Sequence, residues 1–344
     1  MPPRTTSAAP HNDLTRRRFL LAGAAAGLLT ACSGSGTDGA SPPSATPKSD
    51  WSFTDDRGVA VTLPKPPERI VAYIGTAAVL WDFGVRPIGV FGPQRQDDGK
   101  PEPAAGRVDL EAVKSAGEDF EGVNLELLTA LKPDLVVTAL VAKDTFQVIP
   151  EEQLGEIGRI AKLVAVQAYG KPATEIITGH ERLAAALGAD PQSAAVQQAR
   201  TELTTASEAL RTAIRDKPGI LAIFTNAVTE GLFVAKAGDF PDLLEYQRLG
   251  LDIVKAGGED GYFELLSWEN ANKYKADLIL HDERSNSLQP DELAADYPTW
   301  GKLPAVKAGQ VRRWNAEPVF SYQGFRAAVT QLAEDIRGAR ADVV

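Results

Sequence analysis

Cysteine is almost absent from this chain: Cys32 is the only one in 344 residues. A single cysteine builds no disulfide framework, so Cys32 needs another purpose. Methionine is as scarce, with Met1 alone. Together these shortages remove the soft ligands that thiolate and thioether metal sites use. Histidine stops at three, His11, His180 and His281. They fall in a leader, a helical stretch and a strand end, and so cannot form a His triad. For a haem, His281 or a tyrosine would be the remaining axial ligand. His281-Asp282-Glu283 could ligate a metal, or serve as the polar rim of a cleft. Beyond residue 29 no apolar run approaches the ~20 residues of a membrane-spanning helix. The folding region also lacks a Gly-x-Ser-x-Gly elbow, a Walker phosphate loop and a dinucleotide-binding glycine fingerprint. Those gaps weigh against an enzyme, although paired-carboxylate chemistry leaves no pattern without geometry. Positive charge is short as well. With the four Arg and one Asp of residues 1–31 set aside, 32 basic and 45 acidic residues remain, a net charge of −13. Such a chain is a poor nucleic-acid binder and is not expected to lie flat on anionic lipid.

What is present begins with Thr15-Arg16-Arg17-Arg18-Phe19-Leu20-Leu21. This positive cluster leads into an apolar run, Phe19 to Leu29, too short to span a bilayer and suited to a signal h-region. The arginines with Phe-Leu behind them resemble the twin-arginine export signal. Leu29-Thr30-Ala31-Cys32 resembles the bacterial lipobox, which implies cleavage before Cys32 and a lipid on its thiol. The alternative is an ordinary signal peptide with an accidental cysteine. Residues 33–49, rich in Gly, Ser and Pro, read as a flexible tether. The expected organisation is a signal peptide at 1–31, a tether at 32–50, an N-terminal α/β lobe at 51–171, a connecting helix at 172–188 and a C-terminal α/β lobe at 189–344.

About 290 residues are left to fold, enough for two domains or one large one, each with a sizeable core. Apolar runs at 68–74, 86–91, 134–140 and 162–167 are continuous rather than alternating, as in parallel strands buried on both faces. Helical stretches at 76–83, 125–131 and 151–160 separate them. Residues 172–187 and 192–215 predict two consecutive helices, after which alternation resumes. The second half predicts strands at 219–225, 252–255, 277–281 and 311–315, a hairpin arm at 231–235, and helices at 240–249, 267–275 and 323–337. The expected fold is α/β, with two doubly wound lobes joined by a single long helix and a ligand cleft between them.

Several segments carry a resemblance. In the first half these are Pro67-Glu68-Arg69-Ile70-Val71, Gly84 to Val90 with Arg86-Pro87, and Asn124-Leu125-Glu126 continuing to Lys132-Pro133-Asp134-Leu135. In the second they are Ser267-Trp268-Glu269 continuing to Ala276-Asp277-Leu278, and Trp300 continuing to Leu303-Pro304-Ala305 and Val311. In this order and spacing they resemble class III periplasmic binding proteins over roughly residues 51–340. The resemblance implies a non-enzymatic protein without a cofactor that delivers a ferric siderophore, cobalamin or haem to an ABC importer. The siderophore is the favoured cargo, and an exported enzyme is the remote alternative. It also implies a monomer on the extracytoplasmic face of the cell membrane, held by the lipid on Cys32. One carboxylate per lobe would dock on the permease dimer, Glu126 and Glu269 by position. Otherwise these two are solvated helix residues whose charge the helix dipole favours.

Ligands of open α/β sheets bind outside the carboxyl ends of the strands. The residues expected there are Tyr73, Phe91 and Arg95 in the first lobe, and Phe224, Lys236, His281, Arg284, Trp314, Phe320 and Tyr322 in the second. Aromatic walls with a few cations suit a bulky, partly apolar ferric chelate, often an anionic one. For each aromatic taken singly, core packing is the competing role. The anchor has a direct check. The mature protein is expected to begin at Cys32, and Cys32→Ala to release it from membrane fractions. A mature wild-type protein beginning elsewhere would refute the lipid assignment.

Overall fold

The computed structural model describes residues 50–118, 120, 122–258 and 261–344. The leader, most of the tether and Cys32 lie outside the described residues. The chain opens with a hairpin, β1 (Trp51–Thr54) and β2 (Ala60–Leu63), that the sequence reading lacks. Asp55 organises its turn, accepting from the backbone N–H groups of Arg57 at 3.0 Å and Val59 at 3.1 Å.

Next come β3 (Ile70–Tyr73), α1 (Ile74–Asp82), β4 (Gly89–Phe91), β5 (Lys114–Ser115) and α2 (Leu125–Leu131). β6 (Leu135–Ala142), the short β7 (Thr145–Phe146), α3 (Glu151–Ile160) and β8 (Lys162–Gln167) complete the lobe. β5, β4, β3, β6 and β8 lie side by side and are all parallel, while β7 folds back antiparallel on the end of β6. Strand order therefore runs outward in opposite directions from β3 and β6. That reversal is the topological switch point at which such sheets leave a crevice. Val71, Ala72, Val136 and Val137 are fully buried at its centre, as continuous β-branched runs covered on both faces must be.

The crossing to the second lobe is α4 (Ala173–Ala186), uninterrupted through Gly179. Ile177 and Leu183 are fully buried on it, each stabilising by about 1.5–3 kcal/mol. α4 packs against β8, β1 and α1 on one side and, on the other, against α6 (Pro241–Arg248) of the second lobe. Ahead of α6 stand α5 (Ala194–Arg215), β9 (Leu221–Val228) and β10 (Gly231–Ala235). After it come β11 (Asp252–Ile253), β12 (Phe263–Ser267), β13 (Leu278–Asp282), α7 (Pro290–Asp296), α8 (Pro304–Lys307), β14 (Val311–Trp314) and α9 (Tyr322–Gly338). The parallel part of this sheet is β11, β9, β13 and β14, with its switch point between β9 and β13. β10 and β12 extend it antiparallel from the far end of β9. One apolar cluster runs from Val71 and Val136 to Phe325 and Ile336, joining the two lobes, and a second lies under β10 and β13 around Trp300.

Two differences from the sequence reading have local causes. Residues 267–275 do not form an α-helix. Ser267 ends β12, paired with Gly231, and a single 3-10 turn, Trp268–Asn270, follows. Ser-Trp-Glu imitates a helix start, but Asn270 and Asn272 behind it are weak helix formers. The second lobe also gains β12, absent from the expected strands, because the expected hairpin arm at 231–235 leaves an edge on which Phe263–Ser267 pairs antiparallel.

Candidate functional site

Both switch points face one another across the crevice. Tyr73 is the last residue of β3 and the N-cap of α1, so its ring leaves the sheet where the chain turns into the helix. Gly92 makes room for it. A Cβ there would stand 2.9 Å from the Tyr73 ring, and the backbone at Gly92 is left-handed (φ +85°), a conformation glycine adopts without strain. Gln147 follows β7 and precedes Val148, a buried β-branched residue held at φ 63°. Such strain persists where the surrounding structure fixes it and clusters at functional sites.

From the second lobe, Arg284 follows β13 and Glu317 follows β14. Arg284 binds Asp282 through Nε at 3.0 Å and through its terminal nitrogen at 2.7 Å. Asn226 donates to the same carboxylate at 3.0 Å. Arg284 also pairs with Glu317. Glu317 in turn reaches across the crevice, accepting from the Tyr73 hydroxyl and, at 3.1 Å, from Gln147 Nε2. Burial alone would weaken the Arg284 charge, but Glu317 and Asp282 hold its pKa above the usual guanidinium value. Burial, and then the neighbouring Glu317 charge, raise the Tyr73 pKa well above that of a free phenol.

These groups enclose a cavity of about 200 Å³. Its first-lobe wall includes Tyr73, Thr76, Gln147 and His180, the last from α4. Its second-lobe wall is aromatic: Phe240, Tyr262, Phe263 and Phe320. Phe240 stands edge-on to Tyr262 and Phe263 with centroids 5.2 and 5.1 Å apart, an arrangement that aromatic quadrupoles favour. Thr76 Oγ1 and Tyr262 Oη are buried and find no hydrogen-bond partner among the described residues. Burial pushes the His180 imidazole down to about 4, so it is neutral at physiological pH. Beside the cavity the crevice widens into a groove of about 940 Å³ that shares Arg284 and is bordered by segments 96–103, 227–230 and 283–292. At its edge Ser285 meets the buried Glu102 of the opposite lobe.

Of the ten expected ligand residues, Tyr73, Arg284 and Phe320 line this cavity. Phe91, Phe224 and Trp314 stand one layer back. Phe91 packs beside Tyr73 at 6.2 Å, and Trp314 buttresses Phe240 at 5.2 Å with Phe224 behind it. Arg95 is exposed and paired with Glu111. Lys236 follows β10, its backbone N–H donating to the Tyr262 carbonyl, but it is not part of the lining. His281 is buried between Thr225 and the Leu288 carbonyl at 2.9 and 2.8 Å. With both ring nitrogens engaged, and Asp282 committed to Arg284, the triplet His281-Asp282-Glu283 is a structural unit. Tyr322 donates to Glu181 of α4. The sequence reading omits Glu317, Gln147, Thr76, Tyr262 and the Phe240–Phe263 pair. Glu126, in the first turn of α2, and Glu269, in the 3-10 turn, are both exposed.

Comparison with known proteins agrees with this geometry. The profile of the family described as periplasmic binding protein matches residues 71–318. DesE, a ferric-siderophore receptor protein from Streptomyces coelicolor, is 36% identical, with 85% of this chain and 99% of that chain covered and a TM-score of 0.80. Two structures share the fold at lower identity. FeuA from Bacillus subtilis, complexed with ferri-bacillibactin, is 18% identical over 83% of this chain and 97% of its own, at a TM-score of 0.61. SirA from Staphylococcus aureus, complexed with staphyloferrin B, is 20% identical over 85% and 99%, at 0.60. No curated protein sequence matches the chain. The chain belongs to the periplasmic binding protein family, a family of two-lobed binding proteins rather than enzymes.

The wall of the cavity makes one prediction. Asp242 Oδ2 accepts from Trp314 Nε1 at 2.8 Å, and its buried Oδ1 finds no hydrogen-bond partner among the described residues. Burial, opposed by the Trp314 bond and assisted by the Asp282 charge, pushes this carboxyl up to about 7. A carboxyl raised on folding stabilises most below its unfolded pKa and loses that contribution as pH climbs to the folded value. Asp242→Asn cannot ionise. Its stability relative to wild type should therefore improve between pH 5 and pH 8, by on the order of 2–4 kcal/mol. Thermal melts of both proteins at the two pH values measure this, and a pH-independent difference would contradict it.

Proposed function

We propose that this protein captures a ferric siderophore outside the cytoplasm and delivers it to an ABC importer. The observation that carries the reading is the aromatic-walled cavity at two facing switch points. It occurs in a chain 36% identical to a ferric-siderophore receptor over 99% of that receptor's length. Tyr73, Phe240, Tyr262, Phe263 and Phe320 offer apolar faces to the body of a chelate. Thr76 and Tyr262 offer hydroxyls, and Arg284 and Glu317 offer the charged contacts. Binding here is recognition without chemistry, because the groups that converge grip and orient. Attachment to the cell membrane through a lipid on Cys32 completes the proposal, since a binding protein must stay near its importer.

Two measurements test it. Titrating the protein with a panel of ferric siderophores should quench tryptophan fluorescence saturably, Trp314 lying directly behind the cavity wall. Failure of every member of the panel to bind would end the siderophore reading. Glu126 and Glu269 are proposed to dock on arginines of the permease dimer, one from each lobe. Glu126→Ala and Glu269→Ala should leave siderophore affinity unchanged and lower uptake, most in the double variant. Full uptake by the double variant at normal expression would show them to be ordinary surface charge.

A further inference from the structure

The charge balance of the crevice goes further than the fold. Aromatic walls with scattered cations suit anionic chelates, but in this site the cation is already neutralised. Among the described residues lining the cavity, Arg284 is the one cation, and two carboxylates contact it, Asp282 and Glu317. Asp282 is fully buried and bound to Arg284 and Asn226. Glu317 is a quarter exposed and reaches the cavity surface. The trio therefore carries a net single negative charge, and of its two members that line the cavity Glu317 is more exposed than Arg284. The adjoining groove repeats the sign, with five carboxylates against three cations along its border. The remaining polar groups of the cavity are neutral: the Tyr73 hydroxyl, the Thr76 and Tyr262 hydroxyls, which find no partner among the described residues, the Gln147 amide and the uncharged His180.

We infer that the site selects its ferric chelate by charge, taking neutral or cationic complexes and rejecting polyanionic ones, with Glu317 as the residue that reads the sign. The inference rests on the siderophore reading above and names the class within it. Ferric iron with three singly charged hydroxamates is neutral, and a free amine on the chelator makes the complex cationic. Ferric iron with three doubly charged catecholates is a trianion. Bringing a trianion beside Glu317 adds repulsion in a partly desolvated crevice and leaves its charge without a partner. A neutral hydroxamate complex instead presents carbonyl and amide groups, which the Thr76 and Tyr262 hydroxyls and the Gln147 amide can satisfy. Any protonated amine on the chelator has Glu317 as its acceptor.

The test holds the iron centre constant and changes only a remote charge. A linear trihydroxamate chelator with a terminal amine is loaded with ferric iron and used in three forms: free amine, N-acetylated and N-succinylated. These are a monocation, a neutral complex and a monoanion. A ferric tris-catecholate is the fourth probe. Affinity should fall in that order, with the cation at least about tenfold tighter than the monoanion at low salt and the gap shrinking as salt is added. In Glu317→Gln the cation-to-monoanion ratio should collapse to within about threefold. Being a ratio, it is indifferent to any general weakening of the fold or cavity. Equal affinity for the three derivatives, or tighter binding of the tris-catecholate, would overturn the charge selection while leaving siderophore capture standing. A ratio unmoved by Glu317→Gln would overturn the role of Glu317. Failure of all four probes to bind would instead count against the siderophore reading itself.

Discussion

A guanidinium placed at the inner end of a crevice has to be neutralised, and much of the site follows from how Arg284 is. An unpaired charge with so little exposure would be strongly destabilising. Asp282, at the end of its own strand, supplies one carboxylate and is itself fixed by Asn226 from β9. Glu317 supplies the second from the loop after β14. Because Glu317 has acceptor capacity to spare, it also gathers Tyr73 and Gln147 from the opposite lobe. A requirement of local electrostatics thus becomes a polar link between lobes.

The two sheets place these groups for a common reason. In each lobe strand order reverses between two central parallel strands, and the chain leaves both of them at the same edge. Tyr73 leaves beside β6, and Arg284 beside β9, at those reversals. Apolar side chains fill the sheets from behind, so the aromatic wall has a second layer. Phe240 rests on Trp314, and Trp314 on Phe224. The front ring is held by the packing of residues that never reach the ligand side.

Much of the fold could be read from residue patterns, because continuous Val- and Ile-rich runs separated by helix formers leave little else for residues 70–167 to do. The site was less legible. Strand-end position pointed to Tyr73, Arg284 and Phe320, but it also pointed to Phe91, Phe224 and Trp314. Position at a strand end does not say whether a ring faces the crevice or the layer behind it. Glu317 sits in Asn315-Ala316-Glu317-Pro318, a loop without periodicity, and its role depends on partners more than 30 residues away in sequence. Gln147 owes its position to a two-residue strand and to Val148 in a backbone conformation that β-branched residues rarely adopt. The second-lobe hairpin arm was legible at 231–235, in the close spacing of β9 and β10, whereas Ser-Trp-Glu was a false helix start.

α4 has a mechanical consequence. Its 14 residues make a rod about 21 Å long that bends far less readily than an extended linker. It is also part of the cavity wall, through His180. Whatever flexing the lobes undergo is leveraged from this rod, so displacement grows with distance from it. Groups near His180 behave as a hinge post and keep their spacing. Where Glu102 meets Ser285 on the groove, the lobes touch away from the cavity wall that His180 lines, so a flexure of the helix would part that contact before it disturbed the wall.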